Sequence, residues 1–88
     1  MISANTAEIR DRLVEILRDD MFVVKDVIED DDELITDLGL DSANVAIGLV
    51  AIEQRLRVVL THQDVVECPT FGALVEITAT KSKAARMA

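Results

Sequence analysis

Apolar residues recur at helical spacing in the first part of the chain. Between Thr6 and Met21 the charged residues alternate with an apolar set that returns every three or four positions: Ile9, Leu13, Ile16 and Leu17. This period places the apolar side chains on one face of an α-helix. Asn5, followed three residues later by Glu8, is typical of a capping box at a helix start. The pattern predicts a first helix over residues 6–21.

The next segment, from Phe22 to Asp41, loses the helical period and is strongly acidic. Residues 29–33 are all Asp or Glu, yet apolar residues continue through the segment: Val23, Val24, Val27, Ile28, Leu34, Ile35, Leu38 and Leu40. A disordered linker contains fewer apolar residues. We therefore expect a long loop that packs back on the domain, with the acidic run in solvent. Gly39 supplies a turn before the next element.

Helical spacing returns from Ser42 to Arg57. The apolar positions are separated by four, three and four residues: Val45, Leu49, Ile52 and Leu56. They predict a second helix with one stripe facing the core. Gly48 lies inside this helix, where glycine costs about 1 kcal/mol relative to alanine. Its presence indicates a close approach between helices.

The last part of the chain predicts two more helices. Residues 58–60 have no evident partner strand, so a loop is the better interpretation than a strand. A short third helix is expected over residues 62–68, and Thr70 is suited to cap a fourth helix over residues 71–80. That helix has one buried face: Phe71, Leu74, Val75 and Thr78. The predicted fold is all-α, a four-helix bundle with a long first loop. Residues 1–80 form its domain and residues 81–88 a flexible basic tail.

Composition narrows the classes of function. A chain of 88 residues with 50% hydrophobic residues forms one small domain, better suited to present a surface feature than to enclose a deep cleft. Its net charge of −8 disfavours binding to nucleic acid, and two Phe with no Trp or Tyr leave few rings for base stacking. The complementary partner is a basic protein surface.

Several other kinds of site are disfavoured. Cys68 is the only cysteine, so neither an internal disulfide nor a Cys-based zinc site is expected. A calcium-binding loop that began at Asp30 would need Gly at its sixth position and Glu at its twelfth. These positions are occupied by Ile35 and Asp41, so we expect no metal. Neither His62 nor Cys68 has an evident orienting group, and we expect no enzymatic activity. The first ten residues lack the apolar run of a signal peptide, and no stretch is long enough to span a membrane, so a cytoplasmic location without membrane association is expected.

One motif carries candidate chemistry: Leu38-Gly39-Leu40-Asp41-Ser42. It places a serine at the start of a helix, where unpaired N–H groups and the helix dipole favour an anion. A phosphodiester on Ser42 would fit that position. Taken alone, Asp-Ser before a helix more often marks only an N-cap.

The context of the motif resembles the acyl and peptidyl carrier protein family. Members carry a Leu-Gly-x-Asp-Ser signature at the start of the second of four helices, and the resemblance extends over about residues 8–80. It implies that residues 1–80 are a carrier domain and that Ser42 bears a covalent 4′-phosphopantetheine. The thiol would then come from that arm and not from Cys68. It also implies that Asp41 helps a phosphopantetheinyl transferase to dock. From the charge of the acidic loop, we expect Asp37 to contribute to the same contact.

The second helix departs from the family pattern. Ala43 stands where members have a bulky apolar residue, and Ala43, Ile47 and Val50 occupy a face that is acidic in many members. We interpret this face as a contact for a dedicated loading or transfer enzyme. The alternative is scattered surface apolar residues, which are common.

The resemblance implies a free-standing, monomeric carrier that presents an acyl or aminoacyl thioester to acyltransferase, adenylating or condensing enzymes. The acidic loop favours the acyl subtype, whereas residues 67–74 are equally similar to peptidyl carriers, so the subtype stays open. A specialised polyketide or nonribosomal-peptide pathway is expected rather than fatty-acid synthesis. The alternative is an unmodified acidic helical module that binds a basic partner; only the carrier needs the Ser42 hydroxyl.

Overall fold

A computed structural model describes the backbone of residues 6–87 and the side chains of residues 6–82. It contains four helices: α1 Thr6–Asp19, α2 Ser42–Leu56, α3 His62–Val66 and α4 Phe71–Met87. Within the described backbone, extended pairing is limited to one isolated antiparallel bridge between Glu33 and Thr70. The predicted all-α, four-helix architecture with a long first loop and a short third helix is confirmed.

The core is built around α1, which packs against both α2 and α4. Its predicted apolar face is buried throughout, with Ile9, Leu13, Ile16 and Leu17 each at most 2% exposed. The predicted face of α4 is buried as well: Phe71, Leu74, Val75 and Thr78. Thr78 is tolerated there because its hydroxyl donates to the Leu74 carbonyl at 2.7 Å. The helical period therefore identified the core correctly on both helices.

The apolar stripe that was predicted to face the core on α2 is only partly buried. Ile52 is fully buried, whereas the other three members of the stripe are half-buried and pack against the core edge: Val45, Leu49 and Leu56. Gly48 does mark a close approach, because a Cβ there would lie 2.4 Å from Met21 Sδ. The approaching group is this side chain beyond the end of α1, and not a helix backbone.

The loop between α1 and α2 packs back on the domain, as predicted. Its buried apolar residues are Val23, Ile28, Leu34, Leu38 and Leu40. The prediction is wrong for Val24, Val27 and Ile35, which are between 64% and 91% exposed. Gly39 adopts a φ of 72°, which confirms the predicted turn, because a glycine enters the left-handed region without steric cost.

The acidic run is not entirely in solvent, and that expectation is wrong for Asp32. This residue is 7% exposed and accepts hydrogen bonds from Lys25 Nζ at 2.9 and 2.8 Å and from the Glu29 backbone N–H at 2.8 Å. Its carboxylate is buried because both a cation and a backbone donor compensate for the lost hydration.

The helix ends differ from the predicted ones. α1 ends at Asp19, α2 at Leu56 and α3 at Val66, each one or two residues early. The predicted end of α4 at Thr80 is wrong, because the helix continues to Met87. Lys81 is held by Asp64 at 2.9 Å and Ser82 is only 8% exposed.

Other predictions about the chain ends and loops have separate outcomes. The flexibility of residues 81–88 stays a prediction, and the capping box at Asn5 falls outside the described residues. Residues 58–60 form a loop, as predicted. Across residues 6–87, no helix combines the length and the apolar character that crossing a bilayer requires.

Candidate functional site

The start of α2 is organised by Asp41. This residue has an extended backbone, with φ −133° and ψ −177°, and its carboxylate accepts a hydrogen bond from the Asn44 N–H at 2.9 Å. Its carbonyl accepts from the Val45 N–H at 2.9 Å. Asp41 is therefore the N-cap of α2, and Ser42 becomes the first helical residue.

Ser42 has an exposed side chain at this first position. Asp41 occupies the Asn44 N–H, but within the described residues no protein acceptor pairs with the N–H groups of Ser42 and Ala43. Unpaired donors at the positive end of a helix favour an anion. The position therefore fits a phosphodiester attached through the serine oxygen.

An open groove of about 690 Å³ begins at Ser42. Its walls are the loop at residues 33–36, the start of α2, and α3 with the residues after it. Six of its thirteen lining residues are aliphatic: Leu34, Ile35, Leu40, Val45, Val65 and Val66. The groove offers an apolar path, bordered by Asp41 and His62, for an extended group that leaves Ser42.

The two acidic residues assigned to docking each have a local structural role, of which the sequence indicated only the N-cap at Asp41. Asp37 accepts a hydrogen bond from the Glu33 backbone N–H at 2.7 Å, just as Asp41 does from Asn44. Both side chains are exposed, so part of each carboxylate still faces solvent. Whether they contact a transferase stays a prediction.

The predicted apolar face of α2 is exposed. Ile47 is 47% exposed, Val50 is 56% exposed, and Ala43 is exposed one turn before Ile47. The helical phase of the prediction is thus correct, while contact with a partner stays a prediction.

Sequence reasoning missed Phe22, an exposed aromatic residue that follows Met21, a residue in contact with α2. Phe22 is 69% exposed and has a φ of 61°, which is strained for a bulky side chain. The preceding carbonyl, of Met21, accepts a hydrogen bond from the Asn44 side chain at 3.0 Å, so Phe22 is tethered to the first turn of α2. The available signal was an aromatic residue in a chain that has only two.

Cys68 and His62 both line the groove but form no reactive pair. Cys68 is buried and its Sγ donates to the Asp64 carbonyl at 3.1 Å. Burial raises the pKa of the Cys68 thiol, and the nearby Asp64 and Glu67 carboxylates raise it further. The thiol is therefore protonated at neutral pH and is a poor nucleophile.

The acidic loop brings the carboxylates of Glu29, Asp31 and Asp32 within 4.8 Å of one another. The Glu29 N–H and the Lys25 ammonium hold the pKa of Asp32 below its ordinary value. Asp32 in turn raises the pKa of Lys25. Because one carboxylate already has these partners, the cluster is accounted for by the structure of the loop, and we assign no metal to it.

Comparison with known proteins agrees with the geometry at Ser42. Residues 11–77 match the family described as "Phosphopantetheine attachment site". An acyl carrier protein MbtL from Mycobacterium sp. (strain MCS) is 46% identical over 74 residues, covering 84% of this chain and 83% of the relative. Proteins of the same name from Mycolicibacterium paratuberculosis (42% over 74 residues, 84% and 83%) and Mycobacterium bovis (36% over 80 residues, 91% and 95%) are also similar. The chain therefore belongs to the acyl carrier protein family, whose members carry a 4′-phosphopantetheine prosthetic group.

Proposed function

We propose that Ser42 is the residue that carries the phosphopantetheine arm. The observation that supports this assignment is an exposed hydroxyl on the first residue of α2, beside two N–H groups that have no acceptor among the described residues. Ser82, the other serine with a described side chain, is only 8% exposed and lies on α4, far along the chain from the motif. A transferase can reach the first hydroxyl much more easily than the second.

In the modification step, Ser42 Oγ loses its proton and forms a phosphodiester with the phosphopantetheinyl group of coenzyme A, while adenosine 3′,5′-bisphosphate leaves. The N–H groups at the start of α2 stabilise the negative charge of the diester. The arm, when bound, supplies the thiol that holds the cargo as a thioester. The aliphatic groove beside Ser42 offers a resting place for the arm, and Cys68 takes no part because its thiol is buried.

The role of the protein is to present a thioester to other enzymes without catalysing a reaction itself. The partners are a phosphopantetheinyl transferase and the acyltransferase, adenylating or condensing enzymes of a specialised pathway of polyketide or nonribosomal-peptide type. Relatives that are named acyl carrier proteins support an acyl cargo over an aminoacyl one.

Partner enzymes dock on the surface around Ser42. The exposed aliphatic side chains of α2 supply the apolar part of the contact, and Asp37 and Asp41 supply charge. Opposite charges on the partner would speed the encounter, and salt would weaken that effect. Phe22 extends the apolar part from α2 onto the adjoining loop, because Asn44 tethers the residue before it.

Intact-protein mass spectrometry tests the assignment. The chain is incubated with coenzyme A and a broad-specificity phosphopantetheinyl transferase, and the expected result is the mass of one added phosphopantetheine. Ser42→Ala should abolish the addition, whereas the matched variants Ser3→Ala and Ser82→Ala should keep it. A wild-type chain that several transferases leave unmodified would favour the unmodified helical module instead.

A further inference from the structure

Within residues 6–82, two basic side chains of this acidic protein have no partner. Among the basic side chains within residues 6–82, five bind a carboxylate or a carbonyl: Arg10, Arg18, Lys25, Arg55 and Lys81. Arg12 and Arg57 are exposed, and their guanidinium groups form no hydrogen bond or ion pair with any described residue. In a chain with 17 acidic and 9 basic residues, unpaired arginines are not expected from charge balance alone.

Both of these arginines line one pocket, of about 190 Å³. It lies where the first half of α1, the end of α2 and the later part of α4 meet, so its walls come from three helices. Ile9, Leu56 and Val58 form its apolar part. Arg55, which is paired with Asp20 at 3.2 Å, lines the pocket as a third guanidinium.

The polar wall includes the hydroxyl of Ser82. Ser82 is 8% exposed, lines the pocket, and donates no hydrogen bond to any described atom. This hydroxyl is therefore available to donate a hydrogen bond to a ligand in the pocket. One carboxylate, that of Glu8, also lines the pocket, and Glu8 has an interaction of its own. The two unpaired arginines therefore outnumber the one carboxylate that lines the pocket.

Arg57 also has a backbone conformation that its side chain does not favour. It is the C-cap of α2, with φ 58° and ψ 35°, and its N–H donates to the Glu53 carbonyl at 3.0 Å. Glycine is the usual residue at a left-handed helix end, because a Cβ makes this conformation strained. Local folding energy thus favours glycine here, which fits a role for the arginine side chain outside folding.

From this convergence, we propose that the pocket binds a phosphate-class oxyanion, either inorganic phosphate or the phosphate monoester of a small organic molecule. Arg12 and Arg57 present planar forks that match phosphate oxygens in a bidentate manner, and Ser82 donates a further hydrogen bond. A concave pocket with a hydroxyl in its wall suits a small anion better than the flat acidic surface of a protein. Its apolar walls would also contact the organic part of a monoester.

This site is separate from the proposed attachment residue. Ser42 begins α2 and Arg57 follows its end, 15 residues later, which corresponds to roughly 22 Å along the helix axis. The oxyanion site does not depend on Ser42 being modified, so the two proposals can fail independently.

The test titrates phosphate into the full chain carrying Ser42→Ala at constant ionic strength. Binding is monitored through the NMR signals of the arginine Nε–H groups. The expected result is a saturable shift of the Arg12 and Arg57 signals, with little change at Arg10 or Arg18. Arg12→Gln and Arg57→Gly should each weaken phosphate binding by about tenfold or more, because each removes charge-assisted hydrogen bonds. The matched control Arg18→Gln, with the same charge change on α1, should alter it by less than about twofold.

Arg57→Gly also separates binding from folding. Glycine relieves the left-handed strain, so the thermal midpoint should stay constant or rise while phosphate binding is lost. A second titration with adenosine 5′-monophosphate distinguishes the two sources of phosphate: tighter binding than inorganic phosphate favours an organic monoester, and equal binding favours the free anion.

Three results would overturn the proposal. The first is a shift of the arginine NMR signals that chloride reproduces at the same concentration. The second is equal phosphate affinity in Arg57→Gly and Arg18→Gln. The third is binding of an acidic peptide to the same arginines without any phosphate binding. The last result would indicate a protein contact in place of a ligand site.

Discussion

The side-chain amide of Asn44 donates a hydrogen bond to the backbone carbonyl of Met21 at 3.0 Å, across 23 residues of sequence. The backbone N–H of the same residue donates to the Asp41 carboxylate at 2.9 Å. Asn44 therefore joins the first turn of α2, on which Ser42 lies, to the end of α1. The first turn of α2 is thus held by a tertiary link as well as by the local helix cap.

Asn44→Ala should lower the free energy of unfolding by about 1 kcal/mol, because the Met21 carbonyl loses its half-buried donor. The backbone cap is kept, since alanine retains the N–H. Urea unfolding measures the change. Gln54→Ala, at an exposed position of the same helix, is the control and should change stability by less than about 0.5 kcal/mol. Equal losses in the two variants would mean that the Asn44 bond contributes nothing to stability.

Asp41 gives two variants that separate capping from docking. Asparagine caps a helix about as well as aspartate, so Asp41→Asn should keep stability, while Asp41→Ala should lose about 1 kcal/mol. Both variants remove the charge. If the carboxylate steers the transferase, both should be modified more slowly at low salt and at the wild-type rate at high salt. A slow rate in Asp41→Ala alone would show that the cap matters and the charge does not.

Asp37 allows the same comparison in the acidic loop. Asp37→Asn keeps an oxygen that can accept from the Glu33 N–H and removes only the charge. Combined with Asp41→Asn, it should slow modification at low salt more than either single variant. Rates that stay unchanged at every ionic strength would exclude electrostatic docking through these two residues.

Ile47→Glu tests the apolar face of α2. Because Ile47 is 47% exposed, we expect a change in stability of no more than about 0.5 kcal/mol. Loss of an apolar contact worth about 1.5–3 kcal/mol should weaken transfer by the cognate enzyme about ten- to a hundredfold. Gln54→Glu introduces the same charge further along the helix and should have little effect. Unchanged transfer in Ile47→Glu would leave this residue without a role in docking.

The Lys25–Asp32 pair predicts a dependence of stability on pH. In the folded state, the Glu29 N–H and the Lys25 ammonium hold the pKa of Asp32 below its ordinary value of 3.8. The stabilisation is therefore present above pH 3.8 and is lost as the pH falls through the lower, folded-state value. Asp32→Asn should be less stable than wild type near neutral pH, and the difference should shrink below pH 3.8. Chemical unfolding at several pH values checks this, and a difference that is constant with pH would contradict it.

Much of this protein follows from its sequence alone. The helical period identified the buried faces of α1 and α4. A helix with a single apolar stripe, such as Ile9 to Leu17, removes that stripe from water only by packing this face against the core. The same period placed Ile47 and Val50 on the exposed face of α2. The sequence also placed Ser42 at the start of α2, because a cap, a turn glycine and a helix start are all local features.

Other features were decided only by the tertiary structure. Asp32 is buried because Lys25 and the Glu29 N–H meet it in the folded loop, which no pattern of charges along the chain predicts. α4 extends past Thr80 because Lys81 forms an ion pair with Asp64 and Ser82 is buried. The pocket of Arg12 and Arg57 exists only where three helix segments converge. Local patterns determine which face of an element is buried, but contacts between residues distant in sequence determine which charges are paired and which are left free to bind.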